Sequence, residues 1–150
     1  MPLTPKQFAA AMRQAPLRVR AAAAQTVVQT ALVGESELRI NLSGTVLQRR
    51  SGELLRSVRS ELRGSGAKTV VRLIVGGRGV VYARIHEEGG DVEAKRAPYL
   101  HFRLPGGQWV RTKRVKIPAR PFMAPAADVA RRFMLRRLPL AVADAIKAGS

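Results

Sequence analysis

Apolar residues recur at helical spacing through the first third of the chain. Leu17, Ala21, Ala24, Val28 and Leu32 follow one another at three- and four-residue intervals, which predicts a helix over residues 4–33. Thr4 is placed to cap its start and Pro5 to occupy its first position. Phe8, Met12 and Ala15 share a face ahead of Pro16, which is expected to break or kink the helix, and Gly34 is the expected stop. Lys6, Arg13, Arg18 and Arg20 lie in this segment with no acidic residue, as on a solvated face behind a packed one.

The pattern then changes period. Asn41, Ser43 and Gly44 suggest a turn, and Ser51 is expected to cap a short helical turn through Leu55, with Glu53 near its positive end. Val58, Ser60 and Leu62 alternate with Arg59, Glu61 and Arg63, the pattern of a half-buried strand. After Gly64-Ser65-Gly66, the β-branched and apolar run Thr69 to Val75 predicts a second strand, ended by Gly76-Gly77-Arg78-Gly79. Val80 to Glu88 is expected to form a short helix with Tyr82 and Ile85 on the core, ended by Gly89-Gly90. Tyr99–Leu104 and Gln108–Ile117 read as strands joined by Pro105-Gly106-Gly107. Val110 and Thr112 share a parity that Val115 and Ile117 do not, so a bulge is expected near Lys113-Arg114. Residues 125–147 read as a long helix with Asp128 in its first turn and Pro139 as a kink.

These elements predict an α+β fold: a mostly antiparallel sheet of about four strands with a long N-terminal helix, a short central helix and a C-terminal helix. A length of 150 residues fits a single domain, with a helical segment over 1–34, a sheet and hairpin core over 50–126, and the last helix over 125–147. The absence of cysteine removes disulfides and thiolate metal sites. Met1-Pro2-Leu3-Thr4-Pro5-Lys6 shows no signal-type apolar run, and the apolar helical stretches are interrupted by Arg, Gln or Pro. A soluble chain without a membrane span is therefore expected.

Charge changes the picture. The chain holds 27 basic and 10 acidic residues, a net charge of +17, which attracts polyanions and acidic protein surfaces. Of the basic residues 21 are Arg and 6 are Lys in an Ala-rich chain, a bias that also follows from genome composition. The densest cluster lies on the expected hairpin, where Lys95, Arg96, Arg103, Arg111, Lys113, Arg114, Lys116 and Arg120 accompany Tyr99, Phe102 and Trp109. Phosphate contact by the cations and base stacking by the aromatics make a nucleic-acid module one reading. Arg103, Arg111, Lys113, Arg114 and Lys116 are its candidate polyanion or partner contacts. No recognised nucleic-acid motif accompanies them, and Tyr99 and Phe102 differ in strand parity, so both cannot face solvent from a regular strand.

Catalytic signals are weak. His86 and His101 are the only histidines and do not form a metal-ligand set, even with Glu87, Glu88 and Asp91 beside the first. Gly76-Gly77-Arg78-Gly79 follows a strand but lacks the Gly-Lys-Ser/Thr ending of a phosphate loop. No nucleophile elbow surrounds any serine, and Glu87 and Glu88, adjacent on a helix, do not converge. No enzyme activity, metal or cofactor is expected.

Three ordered segments carry a resemblance. They are Arg50-Ser51-Gly52-Glu53-Leu54-Leu55-Arg56-Ser57-Val58, Tyr82-Ala83-Arg84-Ile85-His86-Glu87-Glu88-Gly89-Gly90, and Ile117-Pro118-Ala119-Arg120-Pro121-Phe122-Met123. In type, order and spacing the set resembles the tail-completion, or head–tail joining, proteins of tailed bacteriophages, a virion-morphogenesis group with minor-tail-protein relatives. The resemblance spans about residues 50–126. It implies an α+β subunit of a homo-oligomeric ring, commonly a hexamer, between the tail tube and the head connector. It further implies location in the virion, host cytoplasm during assembly, and no catalysis. On this reading Tyr82, Glu87, Glu88, Arg120, Pro121, Phe122 and Met123 are candidate subunit-interface residues. Pro118, Pro121 and Pro125 stiffen the chain there. Phe122 then has two expected places: a neighbour's groove, or its own core as a staple ahead of the last helix. Non-specific DNA contact would follow from the position of the ring.

Overall fold

The computed structural model describes residues 5–47, 52–64, 68–77, 82–104 and 106–148. Thr4, Ser51, Ser65, Gly66, Arg78 to Val81 and Pro105 lie outside them, as do the side chains of Phe8 and Met12. The elements in order are helix α1 (Pro5–Ile40), a π-helical turn (Asn41–Thr45), α2 (Glu53–Arg56), strands β1 (Arg59–Arg63) and β2 (Val70–Ile74), α3 (Ala83–Glu88), β3 (Gly90–Glu93), β4 (Leu100–Arg103), β5 (Trp109–Thr112), β6 (Arg114–Ile117) and α4 (Met123–Lys147). The α+β class is as expected. The strands form three antiparallel pairs, β1–β2, β3–β6 and β4–β5, in place of one sheet of about four.

α1 runs uninterrupted through Pro16 and past Gly34 to Ile40. Gly34 is not a stop. It is buried, and a Cβ there would lie 2.7 Å from Leu73 Cδ1 and 3.3 Å from the Ala130 Cβ. Its lack of a side chain lets α1 approach β2 and α4 together, and that packing outweighs a helical cost of about 1 kcal/mol. The helix ends at the π-helical turn, where Gly44 takes φ 133° and the Val46 N–H donates to the Asn41 carbonyl at 3.0 Å.

The face that α1 buries also differs from the expected one. Thr26, Thr30, Ala31, Gly34 and Leu38 are buried, whereas Leu17, Val28 and Leu32 are 64%, 43% and 60% exposed. The threonine hydroxyls donate to the Ala22 and Thr26 carbonyls at 2.9 and 2.8 Å, so they enter the interior without an unsatisfied donor. Across from them α4 buries Ala126 and Ala130. Small residues on both helices, rather than the large apolar stripe, therefore form the deepest part of their contact.

The core gathers Leu38, Leu42, Leu47, Val58, Phe122 and Ala126. The end of α1 is pinned to β1 by polar groups: Glu35 Oε1 accepts from the Ser60 N–H at 2.6 Å, and Arg39 Nη2 donates to the Val58 carbonyl at 3.3 Å. The strand from Trp109 to Ile117 changes parity at Lys113, as expected. β5 pairs with β4, β6 pairs with β3, and residues 94–99 on one arm lie opposite Lys113 on the other. The two pairs thus form one long interrupted ribbon. Its Leu100, Phe102, Val115 and Ile117 are half-buried while His101, Arg103, Arg114 and Lys116 are exposed.

Candidate assembly site

Two of the three sequence segments converge in a junction between α3 and α4. Gly89 ends α3 with φ 72° and ψ −178°, a conformation essentially reserved for glycine. A Cβ there would lie 2.7 Å from the Ala119 backbone nitrogen, so the chain approaching α4 passes directly over this glycine. The Arg120 N–H donates to the His86 carbonyl at 2.8 Å and locks the crossing.

α4 begins at Met123 with Phe122 in the cap position, and Phe122 has no side-chain acceptor for the first backbone N–H groups. Glu87 supplies it. Its carboxylate accepts from the N–H groups of Phe122 at 2.7 Å, Met123 at 3.0 Å and Ala124 at 3.3 Å. A negative charge at this helix end also complements the helix dipole. Asn41 Nδ2 donates to the Phe122 carbonyl at 3.0 Å inside the core. Phe122 itself is 1% exposed. Of its two expected places, the chain's own core is the one it fills, as a staple at the head of α4.

The other proposed interface residues have varied surroundings. Tyr82 is half-buried and meets His86 edge to face, with ring centroids 6.0 Å apart. Met123 is half-buried against the core. Glu88 is on the surface and pairs with Arg84 at 2.8 Å, while Arg120 and Pro121 are exposed. Burial, and secondarily the Arg120 charge, hold the His86 imidazole below its ordinary pKa. Its Nδ1 is buried without a hydrogen-bond partner among the described residues.

The first segment contributes to the same structure. Ser57 Oγ donates to the Leu54 carbonyl at 2.7 Å and accepts from the Gly76 N–H at 2.8 Å, tying α2 to the end of β2. Val58 enters the core beside Phe122.

The five hairpin cations do not act alike. Arg114 bonds Asp91 at 2.6 Å and lies 3.5 Å from Glu93, which raises its pKa further above the ordinary guanidinium value. Arg111 lies over the Tyr99 ring at 3.9 Å, with the Lys113 ammonium 5.9 Å from the same centroid. Arg103 Nε donates to the Gly107 carbonyl at 2.9 Å, and Lys116 is exposed. His101 is opposite Arg111 and Arg103 opposite Trp109, so these four share one exposed face. Between α2 and the ribbon lies an open groove of about 1020 Å³, lined by Leu100, Phe102 and Val115 and also by His101, Arg103 and Lys116. Among the described residues no cluster of His, Asp and Glu is arranged to hold a metal ion, and no helix is long and apolar enough to cross a membrane.

Sequence reasoning missed the Glu87 cap, the Asn41 anchor and the groove. A signal for the first was present: α4 has no Ser, Thr, Asp or Asn at its start, so its N–H groups needed an acceptor from elsewhere.

The model of the phage virion morphogenesis family matches residues 22–134, which include all three segments and the junction they build. The chain belongs to the phage virion morphogenesis family. None of the curated proteins and none of the solved structures compared matches the chain. Membership gives the chain a structural, assembly role in a phage virion.

Proposed function

We propose that this chain is a tail-completion or head–tail joining subunit, which forms a homo-oligomeric ring and docks between the tail tube and the head connector. The family match over residues 22–134 carries the reading. The helical pair supports it. α1 leaves Leu17, Val28 and Leu32 exposed, and α4 leaves Leu135 and Leu140 60% and 56% exposed. An apolar surface of this kind on a structural protein favours burial in an assembly. The subunit would work without covalent chemistry, in the host cytoplasm during assembly and then in the virion.

Size-exclusion chromatography with light scattering, in low and high salt, tests the ring. A discrete oligomer is expected, and Leu17→Asp with Val28→Asp is expected to shift it to monomer while the melting temperature holds. A chain that stays monomeric at high concentration, and is absent from particles imaged with a tagged copy, overturns the reading. One observation favours a second role, non-specific contact with nucleic acid: Trp109 is 71% exposed beside Arg103 and Arg111. Tight duplex binding with a steep salt slope by a strictly monomeric chain would put that role first.

A further inference from the structure

The groove has a chemistry of its own. Leu47, Leu54 and Leu55 form one apolar wall, and Leu100, Phe102 and Val115 of the ribbon form the other. Its volume of about 1020 Å³ is enough to take several side chains of an inserted segment. Its charged lining residues are Arg103, Lys116 and Arg120, with Glu53 the one carboxylate among the described residues that line it. His86 lines the same groove. The occupant that fits is therefore both apolar and acidic.

A second copy of this chain does not offer such a segment. Its most acidic stretch, Glu87 to Glu93, is already engaged. Glu87 caps α4, Glu88 pairs with Arg84, and Asp91 and Glu93 pair with Arg114. Glu35 and Glu61 are paired with Arg39 and with Arg59 and Arg63. Glu37, Asp128 and Asp144 stand singly on the long helices α1 and α4. With a net charge of +17, the chain has cations to spare and few carboxylates to lend.

We infer that the groove between α2 and the ribbon receives a segment of a different, acidic protein, in which apolar side chains alternate with carboxylates. The inference rests on the assembly reading for its biological setting, because it makes the occupant a neighbour in the particle. Its physical test does not depend on that reading.

The test uses the full chain and short fluorescein-labelled peptides, read by fluorescence anisotropy at physiological ionic strength. One peptide alternates leucine with glutamate, a second leucine with lysine, and a third serine with glutamate. The first is expected to bind at least about tenfold more tightly than the other two, since it alone satisfies both wall and rim. Arg103→Glu with Arg120→Glu is expected to weaken that binding about tenfold, with an unchanged circular dichroism spectrum. Arg131→Glu with Arg132→Glu, the same charge change on exposed α4, is expected to leave it as it was. Equal binding of the serine–glutamate peptide would reduce the effect to net charge and overturn the inference. So would equal binding of the leucine–lysine peptide, or a loss that follows the α4 reversal. Displacement of the peptide as the chain self-associates would give the groove to a second copy and overturn it as well. If peptide binding fails while light scattering still reports a ring, the assembly reading stands and only the groove's occupant is lost.

Discussion

The junction around Gly89 and the ribbon beyond it use similar residue types to opposite ends. In the junction one carboxylate serves three backbone N–H groups, a glycine admits a crossing chain, and an aromatic ring is 1% exposed. On the ribbon an indole is 71% exposed, and Arg111 and Lys113 rest against a tyrosine ring. The residues of the three segments that carry the resemblance mostly build the frame. The residues free to meet another molecule are generic in type and dense only in charge. A recognisable motif in this chain is thus a sign of folding constraint more than of contact.

The largest test of that contrast sets Phe122 against Trp109. Phe122→Ala empties a fully buried site and is expected to cost about 3–5 kcal/mol, a large share of the total stability of about 5–15 kcal/mol usual for a domain. Trp109→Ala removes a larger side chain from the surface and is expected to stay within about 0.5 kcal/mol. Urea unfolding midpoints with equal slopes measure both. Comparable losses would mean that the indole is covered in the folded chain and that the ribbon belongs to the frame.

What was legible in the sequence follows the same division. Strands β1 and β2 were readable because alternation at Val58–Arg63 and the β-branched run at Thr69–Val75 are local signals, although Leu62, expected on the packed face, is exposed and Glu61 half-buried. The parity slip at Lys113 was readable for the same reason. The buried face of α1 was not. Thr26 and Thr30 look polar until their hydroxyls are bonded to their own helix, and Gly34 looks like a stop until Leu73 and Ala130 occupy the space beside it. The threonine bonds are local, but which face of α1 is covered depends on β2 and α4, far away in the chain, where local propensity is silent. Glu87 is the clearest case: beside Glu88 it reads as a candidate for the subunit interface, and only the fold brings the start of α4 to it.

That pair of adjacent glutamates gives the next test. Glu87→Ala leaves three N–H groups at the head of α4 without their acceptor and is expected to cost about 2 kcal/mol. Glu87→Gln keeps an acceptor oxygen but loses the charge, so an intermediate loss is expected. Glu88→Ala removes a surface pair with Arg84 and is expected to leave the midpoint unchanged. Equal effects at the two positions would show that the cap contributes nothing beyond a surface charge. A selective loss at Glu87, with oligomer mass unchanged in Glu88→Ala, would assign the two glutamates to frame and surface respectively.

The smallest expected effect lies at the seam between the two regions. The His86 carbonyl accepts from the Arg120 N–H at the junction, and the residue lines the groove beneath the ribbon. Burial, followed by the Arg120 charge, sets its folded-state pKa below the ordinary value of 6.5. The unfolded chain therefore takes up this proton first as pH falls, and stability rises with pH wherever the unfolded state holds more protons. The contribution is complete above about pH 6.5. It is lost as pH falls through the folded-state value, below which both states are protonated and the loss levels off. The side chain is only half-buried, so the slope is modest and needs a matched comparison. Melting temperatures of the native chain at pH 7.5 and 5.5 should differ by more than those of His86→Gln, with carboxylates largely ionised throughout that window. Arg120→Gln should recover part of the difference by removing the secondary cause. If His86→Gln keeps the full pH dependence, the titrating group lies elsewhere, and the seam is as open to water as the outer face of the ribbon.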